Sequence, residues 1–372
     1  MKKENVPHSK EEPLSALTGL RQRIDKIDDS ILQLVNERAK TALQIGELKK
    51  KTDSEPQFYR PEREAQLLRT LKKKNTGPLD DTAVGALFRE IMSVCLELEQ
   101  PTRVGFPELD DMFPRQAALK HFGRTSISVP LQTTEDVFRG VADKTIPFGV
   151  IPVHNVPEGV VSESLEHFLE YPLFACGEVS VPVRYCLLSN EGTLPGGVMR
   201  ICAPARAQVR SHRWLDAHYP GVERLVVSSQ AEAIDRVRSE KATTAIVDKM
   251  AAEQCGLSCL ASDVGSEGKC VARFLVIGRT RVPPSGQDRT SLLVSVPDNP
   301  GKLHALLTPF KEHCIDPVHI AELSVRSADG RCCFFVVCPG HCEDPAFEAV
   351  TSALAIQAAG CTLLGSYPVE AC

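Results

Sequence analysis

Steps of three and four residues from Leu17 reach Arg21, Ile24, Asp28, Ile31, Val35, Arg38, Ala42, Ile45 and Lys49. This heptad-like seam commits the N-terminal part of the chain to one long helix. Three cations and one acid occupy seam positions where apolar side chains are expected. Arg38 and Lys49 are eleven residues apart, so at ~100° per residue they share a face, about 16 Å apart along the axis. A buried cation without a counter-charge is costly, and Asp28 can serve only part of the set. Two readings fit: an internal ion-pair ladder, or a pocket for a small polyanion made when helices pack. A second chain would complete such a pocket, because a short helical unit leaves a long apolar stripe uncovered.

The helical pattern continues from Leu14 to about Gln100, with a proline-containing break at Ser54 to Pro61 and a polar break at Asn75 to Asp81, which gives three helices. From Arg103 to about Gly278, apolar runs such as FGVIPV, EVSVPV, TAIVDK and ARFLVIG alternate with helical stretches such as RQAALKHFG and AEAIDRVRSEK, the texture of an α/β region. Pro283, Pro284, Ser285 and Gly286 read as a linker. After it, TSLLVSVP, a helix from Lys302, AELSVRS, RCCFFVVC, a helix from Pro345 and TLLGSYP give the order βαββαβ of a ferredoxin-like α+β domain.

At 372 residues the chain has room for two or three cores. A net charge of -5 supplies no basic field for nucleic acid. The start, MKKENVPHSKEEP, has no apolar stretch behind its lysines, and no uncharged apolar run approaches membrane-spanning length, so a soluble cytoplasmic protein is expected. Fourteen cysteines spread from Cys95 to Cys372 read as free thiols. Cys332, Cys333, Cys338, His341 and Cys342 form the one cluster open to a zinc reading, but the first of them lie in an alternating strand-like run. Buried reduced cysteines acting as small hydrophobes is the favoured reading, and no metal is expected.

LRQRIDKIDDSILQLVNERAKTALQIGELKK followed by FYRPEREAQLL resembles the all-helical chorismate mutases that begin the bifunctional chorismate mutase/prephenate dehydratase proteins. The resemblance implies an intertwined homodimer, or a higher homo-oligomer, that takes chorismate and makes prephenate. Arg38, Lys49 and Arg63 of one chain, with the partner subunit's Arg21, would hold the two carboxylates and the ether oxygen, and Glu99 would face that oxygen. Arg60 and Cys95 fall at further substrate-facing positions, where some members carry Asp and Ser. The rearrangement is a unimolecular pericyclic step for which no cofactor is implied. A protein can select the compact conformer and stabilise charge developing on the ether oxygen, with Lys49 and a protonated Glu99 as donors.

The same resemblance continues to the C-terminus and implies domains at 1–100, 101–282 and 287–372. FGVIPVHNVPEGVV, CGEVSVPV, WLDAHYPGVER and ARFLVIG resemble prephenate dehydratase, a two-lobed α/β domain with its site between the lobes. Its motifs have changed. GPEGTFT has become a stretch running from Gly105 to Asp111. ENSTEG is replaced by His154, Asn155, Val156, Pro157, Glu158 and Gly159, and Thr-Arg-Phe by Ala272, Arg273 and Phe274. Asn155 and Arg273 remain as substrate-binding candidates. Hydroxide leaves badly unless an acid protonates it, and Ala272 cannot donate. His154 is a candidate proton source or a loop histidine without a relay, and Asp110 and Asp111 are candidate site acids or a solvated pair after a turn.

DRTSLLVSVPDNPGKLHALLTPF and the closing GSYP resemble an ACT regulatory domain, which in this family binds phenylalanine. The Asn299-Pro300-Gly301 turn fits, whereas Ala321, Glu322, Leu323 and Ser324 replace the second effector motif. Two functional classes follow. In one, a mutase is joined to a domain that turns over prephenate, by dehydration or by decarboxylation. In the other, only the mutase is catalytic, and residues 101–372 dimerise or sense a ligand.

Overall fold

The computed structural model describes residues 11–52, 56–109, 111–155, 159–265, 270–326, 331–357 and 360–370. They divide into two compact units, residues 1–59 with 91–101, and residues 60–90 with 102–372. The three expected helices are α1 (Glu11–Thr52), α2 (Pro61–Lys74) and α3 (Asp81–Glu99). Lys49, Lys50 and Lys51 close α1, where cations complement the helix dipole. Pro61 opens α2 at the one turn of a helix that tolerates its missing N–H. In the first unit α1 meets the end of α3 at Gly46, where a Cβ would sit 3.3 Å from that of Glu99. A side chain at 46 would hold the helices apart.

In the second unit the chain runs through β1 (Arg103–Pro107), α4 (Phe113–Phe122), β2 (Ile127–Leu131), α5 (Thr134–Ala142), β3 (Phe148–Asn155), β4 (Gly159–Val160), α6 (Ser162–Glu170) and β5 (Phe174–Pro182). A second stretch follows, with β6 (Tyr185–Ser189), β7 (Arg200–Pro204), α7 (Ala205–His218), β8 (Glu223–Val227), α8 (Gln230–Ser239), β9 (Thr243–Asp248), α9 (Lys249–Cys255) and β10 (Ser258–Ser262). β11 (Val271–Gly278) then returns to the first sheet, whose order is β2-β1-β3-β11-β5 with β4 beside β3. The second sheet has the order β10-β6-β9-β7-β8. Two sheets joined by two crossings make the two lobes expected from the sequence. β3 is nearly continuous in apolar residues because helices cover both of its faces, with Val150, Ile151 and Val153 buried.

The last stretch is β12 (Asp288–Pro297), α10 (Lys302–Glu312), β13 (His319–Arg326), β14 (Arg331–Pro339), α11 (Pro345–Gln357) and β15 (Gly360–Pro368), an antiparallel sheet of order β13-β14-β12-β15. Strand alternation divides its side chains. Leu292, Val294, Cys332, Phe334, Val336 and Cys338 pack with residues of α10 and α11. Leu293, Phe335, Val337, Leu364 and Tyr367 pack with Ile151, Ala175, Leu275 and Ile277 of the first lobe. Contact between β15 and β5 is so close that a Cβ on Gly365 would meet Ala175 O at 2.2 Å. The same alternation places Cys332 and Cys338 in one core and Cys333 against the other. His341 donates from Nε2 to Val282 O at 2.9 Å.

The segment from Pro283 to Gly286 is fixed, contrary to its reading as a linker. Ser285 is buried, and its N–H donates to Asp288 Oδ2 at 2.8 Å while its carbonyl accepts from Arg69 at 2.7 Å. Paired backbone groups hold this proline-containing segment in place. No helix among the described residues is long and apolar enough to cross a membrane.

Candidate active sites

In the first unit, the helical seam delivers Arg38 and Lys49 to one face, and the end of α3 brings Glu99 to them. Lys49 Nζ lies 3.8 Å from Glu99 Oε2, donates to Phe58 O at 3.3 Å and sits 5.5 Å from the centre of the Phe58 ring. Lys50 Nζ donates to the backbone oxygen of Glu99 at 3.2 Å. Burial raises the Glu99 carboxyl above the usual range, against the opposing pull of Lys49, Arg38 and Lys50. Glu99 Oε2 is buried without a hydrogen-bond donor. Lysine and a carboxyl inclined to hold its proton therefore share a site, and both can donate to an oxygen that gains charge. The partner of Lys49 is Glu99 on another helix, not Asp28 on its own. Cys95 is buried at 2% exposure in the same unit.

Arg21 does not join them within one chain. It is exposed and lies seventeen residues before Arg38, about 26 Å away along a continuous helix. Around it Leu17, Leu20, Ile24, Ile27, Ile31 and Leu34 are all at least half exposed. Arg60 and Arg63 belong to the other unit, where both are exposed and Arg60 Nε pairs with Glu62.

Ala272 and Arg273 begin β11, which pairs with β3 and β5 at the carboxyl end of β3. Val276 lies opposite Gly177, where a Cβ would meet His121 of α4, so the face holding Ala272, Phe274 and Val276 is the one α4 covers. Ala272 is fully buried there. Arg273 points to the opposite face, into a small cavity of about 30 Å³ lined also by His154, Glu178, Arg289 and His319. The two retained motif positions therefore serve different faces. His154 and His319 meet edge to face at 5.4 Å, and both imidazoles are held below the usual histidine range by burial and by Arg273. Their His154 Nδ1 and His319 Nε2 atoms have no hydrogen-bond partner. Asn155 contributes backbone pairing to Gly159; its side chain, with Val156, Pro157, Glu158, Asp110 and the Ser324 side chain, lies outside the described residues.

Between the lobes sits a polar cluster that the sequence did not announce. Asp248 is fully buried and accepts from Met112 N at 2.9 Å, Gln230 Nε2 at 2.8 Å and Ala251 N at 3.0 Å. Buried Arg210 donates to the Tyr185 hydroxyl at 3.3 Å. Asp111, just before α4, accepts from Phe113 N–H; burial and Asp248 push its carboxyl up to about 6 despite Arg210 and Arg206. A solvated turn acid would not be shifted in this way, so that reading of Asp111 is corrected. Asp111 also lines a cavity of about 320 Å³ with Glu108, Arg115, Ser128 and Pro130. The only sequence signal was an Asp ending an apolar run, TAIVD, which marks Asp248 as a helix cap.

Residues 20–100 match the family Chorismate mutase type II, and residues 111–282 match the family Prephenate dehydratase. A bifunctional chorismate mutase/prephenate dehydratase of Stutzerimonas stutzeri is 44% identical over 357 residues, 95% of this chain and 97% of its own length. That of Pseudomonas aeruginosa is 42% identical over 355 residues, with 95% and 97% covered. The crystal structure of a prephenate dehydratase from Arthrobacter aurescens in complex with L-Phe superposes with a TM-score of 0.63 at 25% identity, covering 72% of this chain and 90% of that one.

Proposed function

Since the chain belongs to the family of bifunctional chorismate mutase/prephenate dehydratases, we propose that its N-terminal region rearranges chorismate to prephenate with Lys49, Arg38 and Glu99, and that residues 101–282 dehydrate the prephenate. The protein is an isomerase fused to a lyase of aromatic amino acid biosynthesis, the route to phenylalanine.

The observation that carries the mutase reading is the approach of Lys49 to Glu99 within the field of Arg38. Arg38 takes a carboxylate of the substrate, and Lys49 and protonated Glu99 donate to the ether oxygen as its bond breaks. Fixed donors aimed at developing charge lower the barrier without reorganising during the step. The family resemblance assigns Arg63 and the partner subunit's Arg21 to the same clamp, with Arg60 and Cys95 at its margin. An exposed apolar row on α1 and the distance of Arg21 from Arg38 support an intertwined homodimer.

Residues 287–372 are an ACT domain, a reading supported by the βαββαβ order and the antiparallel sheet with β12 and β14 central, as in ferredoxin-like folds. A second reading of residues 101–282, in which prephenate is bound or decarboxylated with its hydroxyl retained, is favoured by Ala272 at the Thr position. Supplying chorismate to the purified chain and identifying the products by mass tests both readings: prephenate then phenylpyruvate supports the first, a hydroxyl-bearing decarboxylation product the second. Unconsumed chorismate removes the mutase assignment.

A further inference from the structure

We propose that Asp111 protonates the ring hydroxyl of prephenate as it departs, the task that Ala272 cannot perform. This rests on the reading of the interlobe cleft as the prephenate site.

Loss of the hydroxyl needs an acid on the face of the sheet that Ala272 occupies, at the carboxyl ends of the parallel strands, where open α/β sheets hold their ligands. His154 does not meet that need. It is paired in register with Arg273 on β11, faces His319 in the cavity toward the C-terminal sheet, and is held neutral by burial. Asp111 does meet it. It stands on the loop that leaves the carboxyl end of β1 for α4, the helix that covers the Ala272 face. It faces Asp248, Arg210 and Arg206 of the second lobe, which places it between the lobes, and it also borders a first-lobe cavity of about 320 Å³ lined by residues between 106 and 130. Ser128 and Arg115 also line that cavity, and the Arg115 Nε is buried without a partner and is free to take a carboxylate.

The groups facing Asp111 divide the work between two carboxyls. Asp248, from the end of β9, is engaged as an acceptor by Met112 N, Gln230, Ala251 N and Gln116. Burial, with the charge of Asp248, raises the Asp111 carboxyl so that part of it stays protonated in mild acid, while Arg210 and Arg206 of α7 stand ready to balance the carboxylate left after transfer. Tyr185 of β6, held by Arg210, has its own hydroxyl pushed further into the neutral form. Glu108 lines the same cavity. Two carboxyls driven apart by their surroundings are a recurrent source of one acid and one fixed charge.

In the step itself, the Asp111 proton passes to the hydroxyl oxygen, the ring carbon–oxygen bond breaks and water leaves. The bond from the ring to its carboxylate breaks as carbon dioxide departs, and its electron pair completes the aromatic ring of phenylpyruvate. Asp111 then regains a proton from solvent. With the carboxyl at about 6, roughly one molecule in ten carries the proton near pH 7, so dehydration is slow at neutral pH and faster in mild acid.

The test supplies prephenate to the full-length protein from pH ~5 to ~8.5 and measures phenylpyruvate, with mutase rate and prephenate binding by calorimetry as controls. The wild-type rate should fall about tenfold per pH unit above ~6.5. Asp111→Asn should lose on the order of 10²-fold or more in turnover while KM, binding and mutase rate stay near wild type, and Asp111→Glu should recover part of the turnover with a shifted profile. Wild-type turnover in Asp111→Asn, a flat wild-type profile, or no phenylpyruvate at any pH from a protein that binds prephenate would overturn the proposal. Failure of the wild type to bind prephenate would instead sink the reading of the cleft.

Discussion

Lys49 Nζ stands 3.8 Å from a Glu99 carboxylate oxygen that is buried and accepts no hydrogen bond. A lysine placed only to neutralise that carboxyl would close to a charge-assisted bond of ~2.8 Å. The gap leaves both groups with donors for a third oxygen. Lys49→Ala should therefore lower chorismate turnover on the order of 10²-fold or more, since a donor to developing charge is removed. Initial rates of chorismate loss measure this, and unchanged turnover would dismiss Lys49 from the mechanism.

Glu99 should set the pH dependence of the mutase. Burial raises its carboxyl above the usual range, so the donating, protonated form persists to higher pH than in an exposed glutamate and is lost as pH rises through the raised value. The rate should fall across that window, and Glu99→Gln, a donor at every pH, should flatten the profile. Superimposable profiles for the two proteins would show that Glu99 donates nothing.

Ala272 should limit the second reaction. Wild-type phenylpyruvate formation at pH ~7.5 should stay below the ordinary range of ~1 to 10³ per second. Ala272→Ser should raise it about tenfold by restoring a hydroxyl at little added volume. Ala272→Thr should raise it less, because overpacking a fully buried site costs about 1 to 3 kcal/mol. No gain from either variant would show that the loop at 154–157 withholds activity independently.

Phenylalanine should not bind in the micromolar range. The turn at Asn299 to Gly301 and the strand bearing the altered motif are tied to each other, with Lys302 Nζ donating to Glu322 Oε1 at 2.8 Å and to Asp298 Oδ1 at 3.3 Å. A ligand would have to displace that pair. Calorimetry that registered micromolar binding would mean the pair opens readily.

Acid should weaken the seam between the first lobe and the C-terminal sheet. His154 and His319 are held below the usual histidine range, so their contribution is full above ~6.5 and is lost as pH falls from there toward the folded values, while the unfolded chain takes up protons the folded one resists. Urea midpoints should drop between pH ~7 and ~5, and His154→Phe should make that drop shallower. An equal slope in the variant would place the acid sensitivity elsewhere.

The N-terminal helices and the shared face of Arg38 and Lys49 were legible in the sequence because helical periodicity is local, whereas Glu99 was implied only by the family resemblance. Spacing alone puts a cation on a face, and only the partner, Glu99 rather than Asp28, required the packing of α3 against Gly46. The alternation of strands and helices from Arg103 onward was legible for the same reason. The sequence likewise showed alanine at 272 where the family carries Thr, and strand alternation puts Ala272 and Arg273 on opposite faces, but it did not show which elements cover each face, since that depends on parts distant in the chain. Asp111 illustrates the limit most directly. In sequence it is half of an acidic pair after a turn, and its raised carboxyl comes from Asp248, Arg210 and Arg206, about 95 to 137 residues further on. A side chain's identity and its local face are written in the sequence, whereas its electrostatic surroundings exist only once both lobes have closed around it.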